Sequence, residues 1–150
     1  MELFLGTFEY LLDEKNRVKI PSKFLSLLQE NEVIITLMDE HEISLNKKDY
    51  FNKQIKKMIE GNSNSKIKQR ELIRIITSRS QEIKIDSKGR IVLNDDALKH
   101  CSIKKEAVVI GYGDHIAIKS KENHKKYISD LEKKNSIKEG IEAFDELFLT

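Results

Sequence analysis

The sequence predicts an α+β fold: two tandem copies of one β-hairpin module sharing a single core, with helices flanking them. Three observations predict it. The chain repeats itself at a constant offset, the one that carries Asp13 onto Asp86. Each copy runs through strand-like and helix-like segments in the same order. A module of a few tens of residues cannot bury enough surface alone, so in a chain of 150 residues the two halves must pack on each other. We divide the chain into a first module over residues 1-60, a linker and helix over 61-79, and a second module with the C-terminal helices over 80-150.

The repeat is read by laying Asp13-Glu14-Lys15-Asn16-Arg17-Val18-Lys19-Ile20 over Asp86-Ser87-Lys88-Gly89-Arg90-Ile91-Val92-Leu93. At the same offset Leu25 meets Leu98, Leu28 meets Cys101, Ile43 meets Ile116, Leu45 meets Ile118 and Ile55 meets Ile128. A further shift of two places sets Val33-Ile34-Ile35 on Val108-Val109-Ile110, as an insertion inside a loop would.

In the first copy, Phe8 to Leu12 and Arg17 to Ile20 read as strands around a tight turn. Pro21 then opens a short helix, because its fixed φ and missing N–H suit a helix start, and Phe24, Leu25 and Leu28 share one face. Val33 to Leu37 and Glu42 to Leu45 form a hairpin with Asp39-Glu40-His41 at its tip. Asn46 is the expected cap of the following helix, whose Tyr50, Phe51, Ile55, Met58 and Ile59 make an apolar stripe. Gly61-Asn62-Ser63-Asn64 is the clearest linker, and Ser65 is positioned to cap a helix through Ile67, Leu72 and Ile75. The second copy repeats the order, with Ser120 as cap before His124, Tyr127, Ile128 and Leu131. Ser136-Ile137-Lys138-Glu139 fits a capping box, and Ile137, Ile141, Phe144 and Phe148 line one face of a last helix. That stripe needs a partner: first its own core, and otherwise a neighbouring subunit.

Composition narrows the function classes. With 39% hydrophobic and 35% charged residues the chain is globular with a heavily solvated surface. The formal net charge of only +2 means that any case for nucleic acid must rest on where charges sit. Cys101 is the single cysteine, which excludes an internal disulfide and suits a reducing cytoplasm. The first residues lack the basic and apolar regions of a signal peptide, and no apolar run reaches bilayer length, so neither secretion nor membrane insertion is expected.

The repeated D-x-x-x-R loop is the candidate site. An Asp at a turn start accepts hydrogen bonds from backbone N–H groups two or more residues on. Asn16 and Gly89, which precede the arginines, are the residue types that most readily take a left-handed backbone. Asp13, Asn16, Asp86 and Gly89 are therefore expected to shape two equal turns. Arg17 and Arg90 would stand at strand starts, able to hydrogen-bond guanine O6 and N7 or a phosphate, with Lys15 and Lys88 adding charge beside them. A plain Asp–Arg ion pair across a hairpin would explain one such loop; the retention of Lys and Arg in both copies favours a shared task. From Lys66 to Arg90 eight Lys or Arg face Glu71, Glu82 and Asp86, a local charge of 8 − 3 = +5. The lysine-rich run from Lys47 to Lys57 is the ordinary solvated face of a helix.

At these residues the sequence resembles the MraZ family, whose two D-x-K-G-R motifs open an AbrB-like, swapped-hairpin, double-psi-like β fold. Asp13 to Phe24 matches the first motif and Asp86 to Leu93 the second. Further agreement comes from Gly6, Glu9-Tyr10, Val109-Ile110-Gly111-Tyr112-Gly113 and the trailing helix, so the resemblance spans nearly the whole chain. Asn16 stands in place of the usual Gly, Asn94 in place of a Pro, and Leu25 and Lys99 where the family often has Arg. The resemblance implies a DNA-binding transcriptional regulator in the cytoplasm and nucleoid. It would bind direct repeats in double-stranded promoter DNA of its own cell-division and cell-wall operon, and assemble as a homo-oligomeric ring.

Catalysis is not expected. The four histidines, His41, His100, His115 and His124, show no metal-ligand spacing, there is no G-x-S-x-G elbow, and Gly111-Tyr112-Gly113 lacks the rest of a dinucleotide fingerprint. No cofactor, metal or small-molecule substrate is expected. The glycines are assigned to a hairpin turn, His41 and His115 to exposed hairpin tips, and Cys101 to the core. The alternative reading is an antitoxin-like or scaffold protein that holds a protein partner through its C-terminal helix.

Overall fold

The computed structural model describes residues 2–61 and 66–148. The fold is α+β, with an antiparallel six-stranded sheet, a separate two-stranded ribbon and six helices among the described residues. In chain order the first copy holds β1 (Thr7–Leu11), β2 (Arg17–Lys19), α1 (Ser22–Leu28), β3 (Glu32–Thr36), β4 (Glu42–Lys47) and α2 (Lys48–Glu60). Then come α3 (Lys66–Ser78), β5 (Ser80–Lys84), β6 (Arg90–Val92), α4 (Asp95–Cys101), β7 (Glu106–Gly111), β8 (Ile116–Ser120), α5 (Lys121–Lys133) and α6 (Ser136–Phe148). The Asn62 to Asn64 part of the expected linker and the Ser65 cap lie outside the described residues.

The strands are exchanged between the copies. In the large sheet the order is β1-β7-β8-β4-β3-β5, so the first strand of each copy completes the hairpin of the other. The two remaining first-hairpin strands, β2 and β6, pair with each other as the ribbon. Both central pairings are self-equivalent: Ser44 faces Ala117, and Val18 faces Ile91, so in each pair a residue meets its own counterpart in the repeat. A pseudo-twofold axis therefore relates the halves, and neither hairpin module is complete without the other.

Strand alternation builds the core. Val18, Ile20, Val33, Ile35, Ile43 and Leu45 from one copy meet Ile91, Leu93, Ala107, Val109, Ile116 and Ile118 from the other in one buried cluster. Helices α1 and α4 close it with Phe24 and Leu28, and with Ala97 and Cys101. Each ends on a left-handed residue, Gln29 at φ 57° and Ser102 at φ 54°, whose backbone N–H bonds back to a carbonyl of the last turn. The sheet's other face carries Val108, Ile110 and Ala117, and there the Lys119 ammonium sits 4.1 Å from the centre of the Tyr127 ring of α5.

Four expectations are corrected. Thr7 faces Ile110 and its equivalent Ser80 faces Thr36, so β3 and β7 are displaced by one place beyond the general offset of the repeat instead of two. The physical reason is the period of a strand: a shift of two would equate core-facing Val33 with Val108, which faces the other side. Asn46 does not cap α2; it lies in β4 opposite Ile34, and the residue before the helix is Lys47, without a side-chain cap. Ser136 is the first residue of α6, not its cap, because Asn135 at φ 57° turns the chain from α5 into the new helix. The apolar stripe of α6 does not reach its own core: α6 packs along α5 while Phe144 stays 61% and Leu147 77% exposed. Ser120 does cap α5, accepting a hydrogen bond from the Asn123 N–H at 3.0 Å.

Candidate nucleic-acid interface

The ribbon and its two entry turns are built alike. In the first turn Asp13 Oδ1 accepts the backbone N–H of Lys15 and of Arg17, both at 2.9 Å. In the second, Asp86 Oδ1 accepts those of Lys88 and Arg90 at the same distances. The Asn16 N–H donates to the Asp13 carbonyl and the Gly89 N–H to that of Asp86, each at 3.0 Å. Asn16 and Gly89 take the positive φ that such a tight turn needs, 57° and 76°. Gly89 has a second constraint, since a Cβ there would stand 2.6 Å from Cδ1 of Leu25.

The arginine side chains fold back on their own turns. Arg17 Nε donates to Asp13 Oδ2 at 2.6 Å and Arg90 Nε to Asp86 Oδ2 at 2.9 Å. The Asp–Arg ion pair is thus present in both copies. Arg90 Nη1 also lies 3.6 Å from Asp13 Oδ2, so Asp13 stands between the two arginines. Each turn's own bond uses Nε, and the Arg17 and Arg90 side chains are about a quarter exposed, at 27% and 24%. An arginine oriented through Nε keeps terminal N–H donors for a planar acceptor. Lys15 and Lys88 give only their backbone N–H groups to the turns, and both residues are exposed.

Electrostatics follow from these bonds. The Arg17 backbone N–H is the first cause holding the Asp13 carboxyl below its ordinary range, against a partial desolvation, with the Arg17 side chain and the Lys15 N–H adding to it. Asp86 is lowered by the same groups in the same order, from Arg90 and Lys88. Both turns are therefore carboxylate-locked at neutral pH.

The ribbon brings together residues that sequence reasoning left apart. Backbone hydrogen bonds run from the Ile20 N–H to the Gly89 carbonyl and from the Leu93 N–H to the Asn16 carbonyl, each 2.9 Å, so each turn is stitched to the far end of the other strand. Val18 and Ile91 point into the core, which turns Arg17, Lys19, Arg90 and Val92 to the outer face. Across the ribbon Arg17 is partnered by Val92, and Arg90 by Lys19. Lys19 and Val92 were missed; the alternation after each Arg was the signal that could have found them.

Among the described residues the other chemistry-bearing groups are dispersed. Among the described residues no group of three His, Cys, Asp or Glu is placed to hold a metal. Cys101 is fully buried, and desolvation pushes its thiol up to about 12. Gly111 is required where the chain's N-terminal segment crosses, because a Cβ there would meet the Phe4 carbonyl at 2.3 Å. His41 is exposed at its hairpin tip, whereas His115 is half-buried and its Nδ1 lies 2.7 Å from Asp114 Oδ1. Among the described residues no helix is long and apolar enough to cross a membrane.

Comparison with known proteins gives one consistent result. The family model described as "MraZ protein, putative antitoxin-like" matches twice, over residues 3–75 and 76–147. A protein of Mycoplasma mobile called transcriptional regulator MraZ is 36% identical over 133 residues, which cover 89% of this chain and 90% of the relative. One of the same name from Mycoplasma capricolum is 33% identical over 89% of this chain and all of its own length. A third, from Clostridium acetobutylicum, is 30% identical over 91% of this chain and 95% of its own.

Proposed function

The chain belongs to the MraZ family, and from that premise we propose that it is a sequence-specific, DNA-binding transcriptional regulator and not an enzyme. One observation carries the reading: two turns of matching geometry flank a two-stranded ribbon separate from the main sheet, and present Arg17 and Arg90 with exposed Lys15 and Lys88. A two-stranded ribbon is narrow enough to enter a major groove, where an arginine reads guanine O6 and N7. In this reading Asp13, Asn16, Asp86 and Gly89 hold the arginines in place, and the lysines neutralise phosphates. The names of the relatives support regulation of transcription as the process.

The finer assignments are also proposals. The target is a set of direct repeats upstream of the chain's own cell-division and cell-wall operon, and the protein works in the cytoplasm on the nucleoid. A homo-oligomeric ring presents many ribbons to successive repeats, and the uncovered apolar face of α6 supplies surface for contacts between copies. Modules 1-60 and 80-150, joined by 61-79, are the units whose turns are multiplied.

Gel-shift titration tests the reading. Arg17→Ala and Arg90→Ala should each weaken specific binding by about 1–3 kcal/mol, while Lys15→Ala and Lys88→Ala should weaken all sequences alike and lower the salt dependence. Arg17→Lys keeps the charge without the planar fork and should lose specificity more than affinity. Repeats spaced about 10 to 10.5 base pairs should bind far more tightly than a single box, and about half a turn of insertion should remove most of that gain. Wild-type affinity in both folded arginine variants overturns the surface. A monomer by light scattering at micromolar concentration overturns the ring.

A further inference from the structure

The outer face of the ribbon is symmetric in backbone and asymmetric in chemistry. Lys19 and Val92 occupy equivalent places in the two copies, two positions beyond Arg17 and Arg90. Val92 is 52% exposed while its neighbours Ile91 and Leu93 are each 1% exposed, so strand alternation commits it to the face that carries the arginines. Across the strands Lys19 is paired with Arg90, two cations, whereas Val92 is paired with Arg17, a cation beside an apolar side chain.

We propose that Val92 is a specificity-determining residue that packs on a thymine C5-methyl group in the major groove, next to the base held by Arg17. The inference rests on the DNA-binding reading above. The thymine methyl is the apolar feature that base pairs present in that groove, and a branched aliphatic side chain is a fitting contact for it. Directly opposed residues on antiparallel strands have Cβ atoms about 5 Å apart, so Val92 and Arg17 reach neighbouring base edges together. The Lys19–Arg90 end suits guanine and phosphate instead. A ribbon with twofold-symmetric side chains would match a palindrome. Replacing one lysine position by valine breaks that symmetry and gives the ribbon a direction along the duplex.

The test selects duplexes from a randomised pool with the full-length chain, then replaces each thymine in turn by deoxyuridine, which removes only the methyl. At one thymine the replacement should weaken wild-type binding about fourfold, the loss expected for one buried methyl. The same replacement should leave Val92→Ala unchanged, because the methyl's partner is already gone. Val92→Lys, which installs the first-copy residue, should be equally indifferent and show a steeper salt dependence. Val92→Ser, which has no γ-methyl, serves in place of Val92→Ala if that variant does not fold. Equal methyl effects in the wild type and the variants, or none at any thymine, overturn the Val92 assignment alone. If the wild type retains no sequence from the pool, the DNA-binding reading fails and this inference with it.

Discussion

The two Asp–Arg turns share every backbone hydrogen bond that shapes them and differ in several of the side chains that follow them. The first is followed by Lys19, Pro21 and Lys23, the second by Val92, Asn94 and Asp96. Asn94 caps α4 by accepting the Ala97 N–H at 2.9 Å, whereas α1 starts after Pro21 without a side-chain cap. The first copy fills its core with Phe24, whose ring meets Phe4 and Phe8 edge-on at centroid distances of 5.5 and 5.4 Å, where the second places Ala97. A turn closed by carboxylate-to-backbone bonds needs only Asp and a left-handed-permissive residue, which frees the flanks to take different work. The helices illustrate the same freedom: a start capped by a side chain and one without such a cap each give a helix of seven residues.

The largest way to break this comparison is Phe24→Ala, which gives the first copy the small residue of the second. It removes the ring on which Phe4 and Phe8 pack, and should cost about 3–5 kcal/mol in urea unfolding. A cost below about 1 kcal/mol would mean that the aromatic cluster does not distinguish the copies. Next comes exchange of the turn residues. Gly89→Asn pushes a Cβ against Leu25 and should destabilise by about 1–3 kcal/mol, whereas Asn16→Gly should change stability by less than about 1 kcal/mol. Equal costs for the two would show that Leu25 yields freely.

A smaller effect concerns charge on the ribbon. Lys19→Ala should lower the slope of log affinity against log salt by about 0.9, and Val92→Ala should leave it unchanged. The smallest is the pH response of the turns. Both Asp13 and Asp86 have carboxyl groups lowered by the N–H groups they hold, so their contribution to stability is present above the ordinary carboxylate range and lost as pH falls through their depressed values. Thermal melts from about pH 6 down to pH 2 should show this loss, and Asp13→Asn and Asp86→Asn should each flatten it. Because Asp13 also faces Arg90, its variant should flatten the curve more than that of Asp86.

Much of the site was legible before folding. Asp13, Asn16, Asp86 and Gly89 announce turns because their chemistry acts on backbone within four residues, and Ser120 announces a cap for the same reason. The stripe of α1 follows from helical spacing, and the repeat carries Leu25 and Leu28 onto Leu98 and Cys101 of α4. Asn46 misled, because pairing of β4 with β3 carries the strand past it to Lys47 and overrides the poor strand preference of Asn. The offset of β3 and β7 misled because consecutive apolar residues, as in Val33-Ile34-Ile35, look alike under a shift of one or two, while the sheet has only two faces.

The duplication, the two carboxylate-locked turns, the short helices and the family are written in residue order, since each rests on local periodicity or on ordered residue types. Folding adds that β1 and β5 change places between the copies, that Asp13 sits between both arginines, and that Lys19 and Val92 share the face of Arg17 and Arg90. The physical reason is that strand pairing joins residues far apart in the chain, as Thr7 with Ile110 and Val18 with Ile91, and no local preference records which partner wins. The register that buries Val33, Ile35, Ala107 and Val109 together settles that choice in the large sheet, and burial of the opposed Val18 and Ile91 sets the side chains on the ribbon's outer face.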